Sequence, residues 1–266
     1  VSLSVNPKVS DWLEFRPSGR VILHTGKVNI GQHITSALVL IAAEELNIDP
    51  NQIAVAQTRT GSSPNENYTV GSQSMQHSGY AIKKAAATAR NELTMRAAKF
   101  FGVSVEQIKI EDGNLFIEKT NQSISYWELV KNAPLECYVD ETVDVKNHVL
   151  HQLQGKHHIA RGMWDIVTGK YEFIQDLKLP NMLHARVIRP PQYHAKLVNV
   201  DEKLIDKLAR ENIYLVRDGS FLAVGAKSEF AAVKAAKRVA MAATWQIENS
   251  LDAVSYTHLT LPTTTI

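Results

Sequence analysis

Cysteine is almost missing: Cys137 is the only one in 266 residues. That excludes an internal disulfide and an iron–sulfur cluster held by this chain alone. Long apolar runs are missing too, none approaching the roughly 18 residues that suggest a membrane span. Neither charge sign dominates, with 29 Lys and Arg against 27 Asp and Glu for a net charge of +2. That balance does not argue for nucleic acid or a membrane surface as partner. A phosphate-binding P-loop is lacking as well. The stretch GKVNIGQHIT (26–35) carries two glycines five apart, but ends in Gly-Gln-His where that motif needs Gly-Lys-Ser/Thr. Methionine is absent from the first position, so any targeting segment would lie before Val1, and cytoplasm and periplasm both stay open.

What is present reads as an ordinary globular chain, 44% hydrophobic and 21% charged, long enough for one or two domains with a sizeable core. Residues 12–30 alternate like a hairpin about the turn SGR. TSALVLIAAEEL has helical spacing, with Leu38, Ala42 and Leu46 on one stripe and Thr35 as the expected N-cap. QIAVAQT is a short strand pattern. A second helix is predicted over 78–101, turning Ile82, Ala86, Ala89, Leu93, Ala97 and Phe100 inward. IKIEDGNLFI predicts a hairpin turning at Asp112-Gly113, and SYWE has capping-box spacing. The pattern weakens over 132–156, a predicted solvated linker. Beyond it KYEFIQDLKL, MLHARVIRPP and AKLVNVD read as strands and EKLIDKLAREN as a helix. A hairpin about Asp218-Gly219 and an alanine-rich helix through Trp245 complete an α+β plan. The threonine-rich end, 251–266, resembles a translated sequencing adapter and is expected to be non-native.

Gly31 and Gly71 each sit in a loop leading into a helix, which points backbone N–H groups at whatever fills the gap. Ser72, Gln73 and Ser74 add short neutral donors. Only Lys27 and Arg59 bring positive charge to these loops, so binding would rest on dipoles and neutral donors. A structural turn at each glycine is the competing reading. The remaining polar residues read blandly. His148, His151, His157 and His158 fall in the linker without carboxylate or cysteine at ligand spacing. His184 and His194 read as packing or surface residues. Glu44 and Glu45 point about 100° apart on their helix, and Glu45 is expected to face solvent or cap a neighbour. Tyr126 and Trp127 read as core anchors and Cys137 as a small buried hydrophobe.

Taken together, GKVNIGQHITSALVLIAAEELNID and SSPNENYTVGSQSMQHSGYAIKKAAATAR resemble the molybdopterin-binding subunit of the xanthine dehydrogenase/aldehyde oxidase family. The nearest branch is that of the isoquinoline 1-oxidoreductase and nicotinate dehydrogenase large subunits. YEFIQDLKLPNMLHARVIRPPQYHAKL is similar to that family's α/β-hammerhead domain. The resemblance implies a fold of α/β and α+β class: a partial cofactor-binding domain over 1–131, the linker, then a hammerhead domain over 157–250. It also implies oxidative hydroxylation of an N-heteroaromatic or aldehyde substrate with water as oxygen source. The implied cofactor is molybdopterin cytosine dinucleotide, with [2Fe–2S] clusters on a small partner subunit and a cytochrome or other acceptor beyond it. Gly31 and Gln32 would line the pterin and its phosphate, the Gly71 backbone would approach the molybdenum ligands, and Ser72, Gln73 and Ser74 would hold the dinucleotide phosphates. Three matched positions depart: His33 stands for a glycine, Arg59 for an aspartate and Asn181 for a glycine in a turn that asparagine tolerates. The family's base glutamate and Gly-Gly-x-Phe-Gly loop lie outside the matched segments, so no catalytic residue is assigned. A diverged non-catalytic assembly module is the alternative reading.

Overall fold

A computed structural model describes residues 2–247 apart from 119 and 132. It divides into two compact units between Tyr171 and Glu172. In the first, a short helical turn α1 (Ser2–Val5) leads to the hairpin of β1 (Leu13–Arg16) and β2 (Arg20–Leu23), with Gly19 at φ 81° in the turn. Helix α2 (Ile34–Leu46) then crosses over to β3 (Ile53–Val55), which pairs parallel to β2. Such a parallel pair needs a crossover helix, and α2 supplies it. Helix α3 (Tyr80–Phe101) packs on α2, its alanines letting the axes approach. The predicted stripe Leu38, Ala42 and Leu46 is fully buried, as are Ile82, Ala86, Ala89, Leu93 and Ala97.

Two helix expectations need correction. Phe100 is 65% exposed, and Phe101 packs on the core instead. Phe101 lies four residues beyond Ala97, on the i, i+4 row, where Phe100 drifts off the stripe. Thr35 does not cap α2 either, since the helix already begins at Ile34. Asn29 reaches across the loop, accepting from the Thr35 N–H at 3.2 Å and donating to its Oγ1 at 2.8 Å.

A second sheet, β4 (Ile108–Glu111), β5 (Asn114–Ile117) and β6 (Ser123–Ser125), turns at Asp112 and Gly113, both with positive φ as an Asp-Gly turn requires. The capping box forms at α4 (Tyr126–Lys131), where Glu128 accepts from the Ser125 N–H and hydroxyl and Ser125 Oγ accepts from the Glu128 N–H. Tyr126 is fully buried and donates to the Leu46 carbonyl at 2.9 Å, tying this sheet to the end of α2.

The stretch 133–156 differs from the predicted solvated linker, because it packs into the first unit with the short α5 (Met163–Val167) after it. Its anchors are Glu44 and Glu45, which are 1% and 0% exposed and correct the solvent-facing reading of Glu45. Glu44 accepts from Lys146 Nζ at 2.8 Å and from the N–H groups of Gln152, Leu153 and Gln154. Glu45 accepts from Arg90 and from the Lys146 N–H. The two carboxylates do diverge, but α2 is apolar nearly all round and covered on both sides.

The second unit holds β7 (His184–Ile188), β8 (Lys196–Val200), α6 (Glu202–Arg210), β9 (Tyr214–Asp218), β10 (Phe221–Ala226), α7 (Glu229–Ala242) and β11 (Ala243–Gln246). Strand β10 lies between β7 and β9, and β8 pairs with β11. Ile188, Leu208, Leu222, Val224, Ala232 and Val239 form its core. KYEFIQDLKL is no strand: Asp176 accepts from the Phe173 N–H and closes a tight turn, Ile174–Asp176, a local bond that competes with sheet pairing. The long helix stops at Ala242, short of Trp245, and its last predicted residues become β11, where Trp245 packs on the core. Asn181 takes φ 60°, the conformation expected of it. The tail at 251–266 lies outside the described residues.

Candidate functional site

Strands β2 and β3 are parallel neighbours, so the chain leaves both at the same edge of their sheet. The segment after β2 carries Gly31 and Gln32, and the segment after β3 carries Gly71 through Ser74. Ligands of open α/β sheets gather beyond the carboxyl ends of such strands.

Hydrogen bonds join the two segments where residues 25–28 meet 66–69. The Gly26 N–H and Thr25 hydroxyl both donate to Glu66 Oε2 at 2.7 Å, and the Val28 N–H donates to Thr69 Oγ1 at 3.1 Å. Lys27 Nζ donates to the carbonyls of Glu66 at 2.6 Å and Tyr68 at 2.8 Å. The approach is closest at Gly26, where a Cβ would sit 2.2 Å from the Pro64 carbonyl oxygen. Both Lys27 and Glu66 are buried. Neither role was legible in the sequence, where Lys27 stood only as a stray cation in a polar loop.

Each expected ligand position has a definite conformation. Gly31 is exposed at φ 103°, with open space where a side chain would be. Gln32 spends its amide on its own loop, accepting from the Ile30 N–H at 2.7 Å and donating to the Val28 carbonyl at 3.1 Å. It therefore shapes the turn around Gly31. Gly71 and Ser72 follow one another at φ 66° and 55°. Gln73 then precedes a π-helical turn, Ser74–Gly79, that runs into α3. The start of a helix leaves N–H groups without intrahelical acceptors, and Ser72 and Gln73 are exposed beside them. Around these donors Val28, Ile30, Tyr68, Val70 and Met75 expose large apolar surfaces on the same two segments. Glycine backbone, neutral donors and an apolar rim suit a bulky ligand with a flat apolar body and anionic groups.

The departures from the family pattern leave the backbone intact. His33 takes φ 55°, ψ 33°, the left-handed conformation that a glycine there would adopt. A side chain in that region costs roughly 1–2 kcal/mol, and glycine costs about 0.5–1 kcal/mol in chain entropy. The two nearly cancel. His33→Gly is therefore expected to shift stability by less than about 1 kcal/mol, read as a change of only a few degrees in thermal midpoint. A large loss would show that the His33 ring holds the loop. Arg59 is exposed and donates to Gln57 Oε1 at 2.9 Å within its own loop.

A cleft of about 960 Å³ lies elsewhere, between α2, the β4–β5 hairpin and the stretch 146–161. Three of its charged lining groups are already engaged: Lys146 is paired with Glu44, and Arg161 donates to the carbonyls of Pro50 and Ile53. Among the described residues no three His, Cys, Asp or Glu side chains gather to hold a metal. His151 and His158 instead bond to the nearby carbonyls of Lys146 and Leu153. Cys137 is partly buried, and burial raises its thiol pKa, away from a reactive thiolate.

Residues 3–178 match the molybdopterin cofactor-binding domain family. The chain is similar to a nicotinate dehydrogenase subunit of Pseudomonas putida, 31% identical over 89% of this chain and 21% of that protein. It is also similar to the gamma subunit of the 6-hydroxypseudooxynicotine dehydrogenase complex of Paenarthrobacter nicotinovorans, 29% identical over 44% of this chain and 15% of that protein. Among solved structures, reconstituted CO dehydrogenase from Oligotropha carboxidovorans aligns over 49% of this chain and 18% of its own, with 23% identity and a TM-score of 0.42. The chain thus spans about a fifth of the length of the nicotinate dehydrogenase subunit.

Proposed function

The chain belongs to the molybdopterin cofactor-binding domain family, and from that premise we propose that the turns at Gly31 and Gly71 together seat the pterin and phosphates of a molybdenum cofactor. In this reading it is part of the large subunit of a molybdenum hydroxylase of the xanthine dehydrogenase type. The observation that carries it is the joining of the two glycine-bearing segments at one edge of a parallel strand pair. A Gly31 side chain would intrude into open space that a ligand could fill, and Gly71 and Ser72, both at positive φ, turn the chain into the helix start at Ser74.

Each residue has a binding role. The exposed Ser72 and Gln73 side chains and the half-buried Ser74 hydroxyl donate to phosphate oxygens, Gln32 fixes the turn that lets the Gly31 backbone approach, and the apolar rim excludes water from the flat ring system. When bound, the cofactor supplies a two-electron oxidation that places water-derived oxygen on an electron-poor carbon. The substrate class follows the similar proteins, an N-heteroaromatic compound or an aldehyde. The hammerhead reading of 157–250 falls mostly in the second unit, which begins at Glu172, and is proposed for it. As the family resemblance implies, electrons pass to [2Fe–2S] clusters on a small partner subunit, and the cofactor takes its cytosine dinucleotide form.

The test is to produce the chain in a bacterium that makes that form, then measure molybdenum and the cytidine monophosphate released by acid. The two are expected in equal amounts. A folded chain carrying neither would favour the non-catalytic assembly module. The sequence contains no Gly-Gly-x-Phe-Gly loop, and the three glutamates between Gly31 and Gly71, Glu44, Glu45 and Glu66, are all buried. The chain alone is therefore expected to oxidise neither nicotinate, isoquinoline nor xanthine. Steady turnover of any of them, followed with an artificial electron acceptor, would contradict that.

A further inference from the structure

Lys27 is 2% exposed, yet among the described residues its ammonium forms no ion pair. An ammonium is costly to bury without hydrogen-bonded partners. Two of its three donors go to the main-chain carbonyls of Glu66 and Tyr68. In the other direction the buried Glu66 carboxylate accepts from the Gly26 N–H and Thr25 hydroxyl at 2.7 Å, and from Ser2 Oγ at 3.4 Å. Each segment thus sends one buried charged side chain into the backbone of the other. Because these contacts are charge-assisted and shielded from solvent, they resist salt and stretching better than the exposed Val28–Thr69 bond farther out.

We propose that Lys27 and Glu66 are positioning residues, a reciprocal clamp that sets the spacing between the turns at Gly31 and Gly71 and with it their affinity for a diphosphate-bearing ligand. The binding half of this proposal rests on reading the two turns as the cofactor's seat. Neither residue touches the ligand. Their effect passes through the backbone they hold.

The wild-type chain, Lys27→Met and Lys27→Arg are compared by amide hydrogen exchange and by titration with inorganic pyrophosphate. Methionine keeps an unbranched stem and removes the donors, whereas arginine retains charge and donors. In Lys27→Met the Gly26 and Val28 amides are expected to exchange at least tenfold faster while amides of Ala42 and Leu93 keep their protection. Pyrophosphate affinity should fall at least tenfold, and Lys27→Arg should restore part of both. Unchanged exchange at Gly26 and Val28 in folded Lys27→Met overturns the clamp. Faster exchange with unchanged pyrophosphate affinity overturns its link to binding. A wild-type chain that ignores pyrophosphate overturns the seat itself, and the exchange data still decide the clamp. If Lys27→Met does not fold, Glu66→Gln, which keeps its shape and one acceptor oxygen, is read by the same two measurements.

Discussion

Glu44→Ala is expected to lower the unfolding free energy by about 3–5 kcal/mol, the cost of removing one partner from a buried charged network. Three backbone donors, the N–H groups of Gln152, Leu153 and Gln154, would be stranded at once, and Lys146 Nζ would keep only the Glu44 main-chain carbonyl. Urea unfolding of the wild type and variant measures the difference. The same network gives a pH signature. Burial pushes the Glu44 carboxyl up, but the Lys146 ammonium and three backbone donors outweigh it and hold its pKa at about 2, against 4.5. With the folded pKa depressed, this stabilisation is complete above pH 4.5 and disappears as pH falls through about 2. At 1.36 kcal/mol per unit the interval is worth roughly 3 kcal/mol. Wild-type stability should decline through that acid range more steeply than that of the variant. Parallel acid titrations would refute the assignment.

Gly26→Ala should be comparably damaging for a different reason. Its Cβ would meet the Pro64 carbonyl oxygen at 2.2 Å and lie 3.3 Å from the Glu66 nitrogen. Both are backbone atoms that no rotamer change can move aside, so the segments must separate. Overpacking of this kind costs on the order of 3 kcal/mol. Separation would also stretch the Gly26 bond to Glu66, and molybdenum content should fall with stability. A variant with an unchanged thermal midpoint and full metal content would mean the segments can part freely. Gly31→Ala offers a contrast, because a Cβ there meets nothing within 4 Å. Its only structural cost is the positive φ.

Local chemistry was readable where one stretch of chain decides it. Asp112-Gly113 could turn only as it does, the Ser125–Glu128 pair announced its box, and the α2 stripe followed from periodicity. Reading failed where a distant partner decides. Glu44 and Glu45 look like a surface pair until the stretch 133–156 folds over them, and Lys27 looks solvated until Glu66 and Tyr68 arrive some 40 residues later. Phe100 shows a third kind of error, since adjacent aromatics compete for one hollow and only helical phase chooses. Of the proposed seat, the two glycines and the serines were legible as types. That their two segments leave one sheet edge followed from β2 and β3 being parallel neighbours, a pairing no local pattern specifies. Gln32 was read as a ligand-facing group, yet its amide is consumed within its own turn.

The π-helical turn Ser74–Gly79 has a consequence for how this region can change length. A π turn is an α-helix carrying one extra residue. Deleting a single residue there would let the turn relax to regular winding with the chain on either side kept near its present faces, whereas a deletion within the regular α3 would swing everything before it by about 100° around the axis. The turn can therefore give up a residue that α3 cannot, so single deletions in the two stretches are not interchangeable.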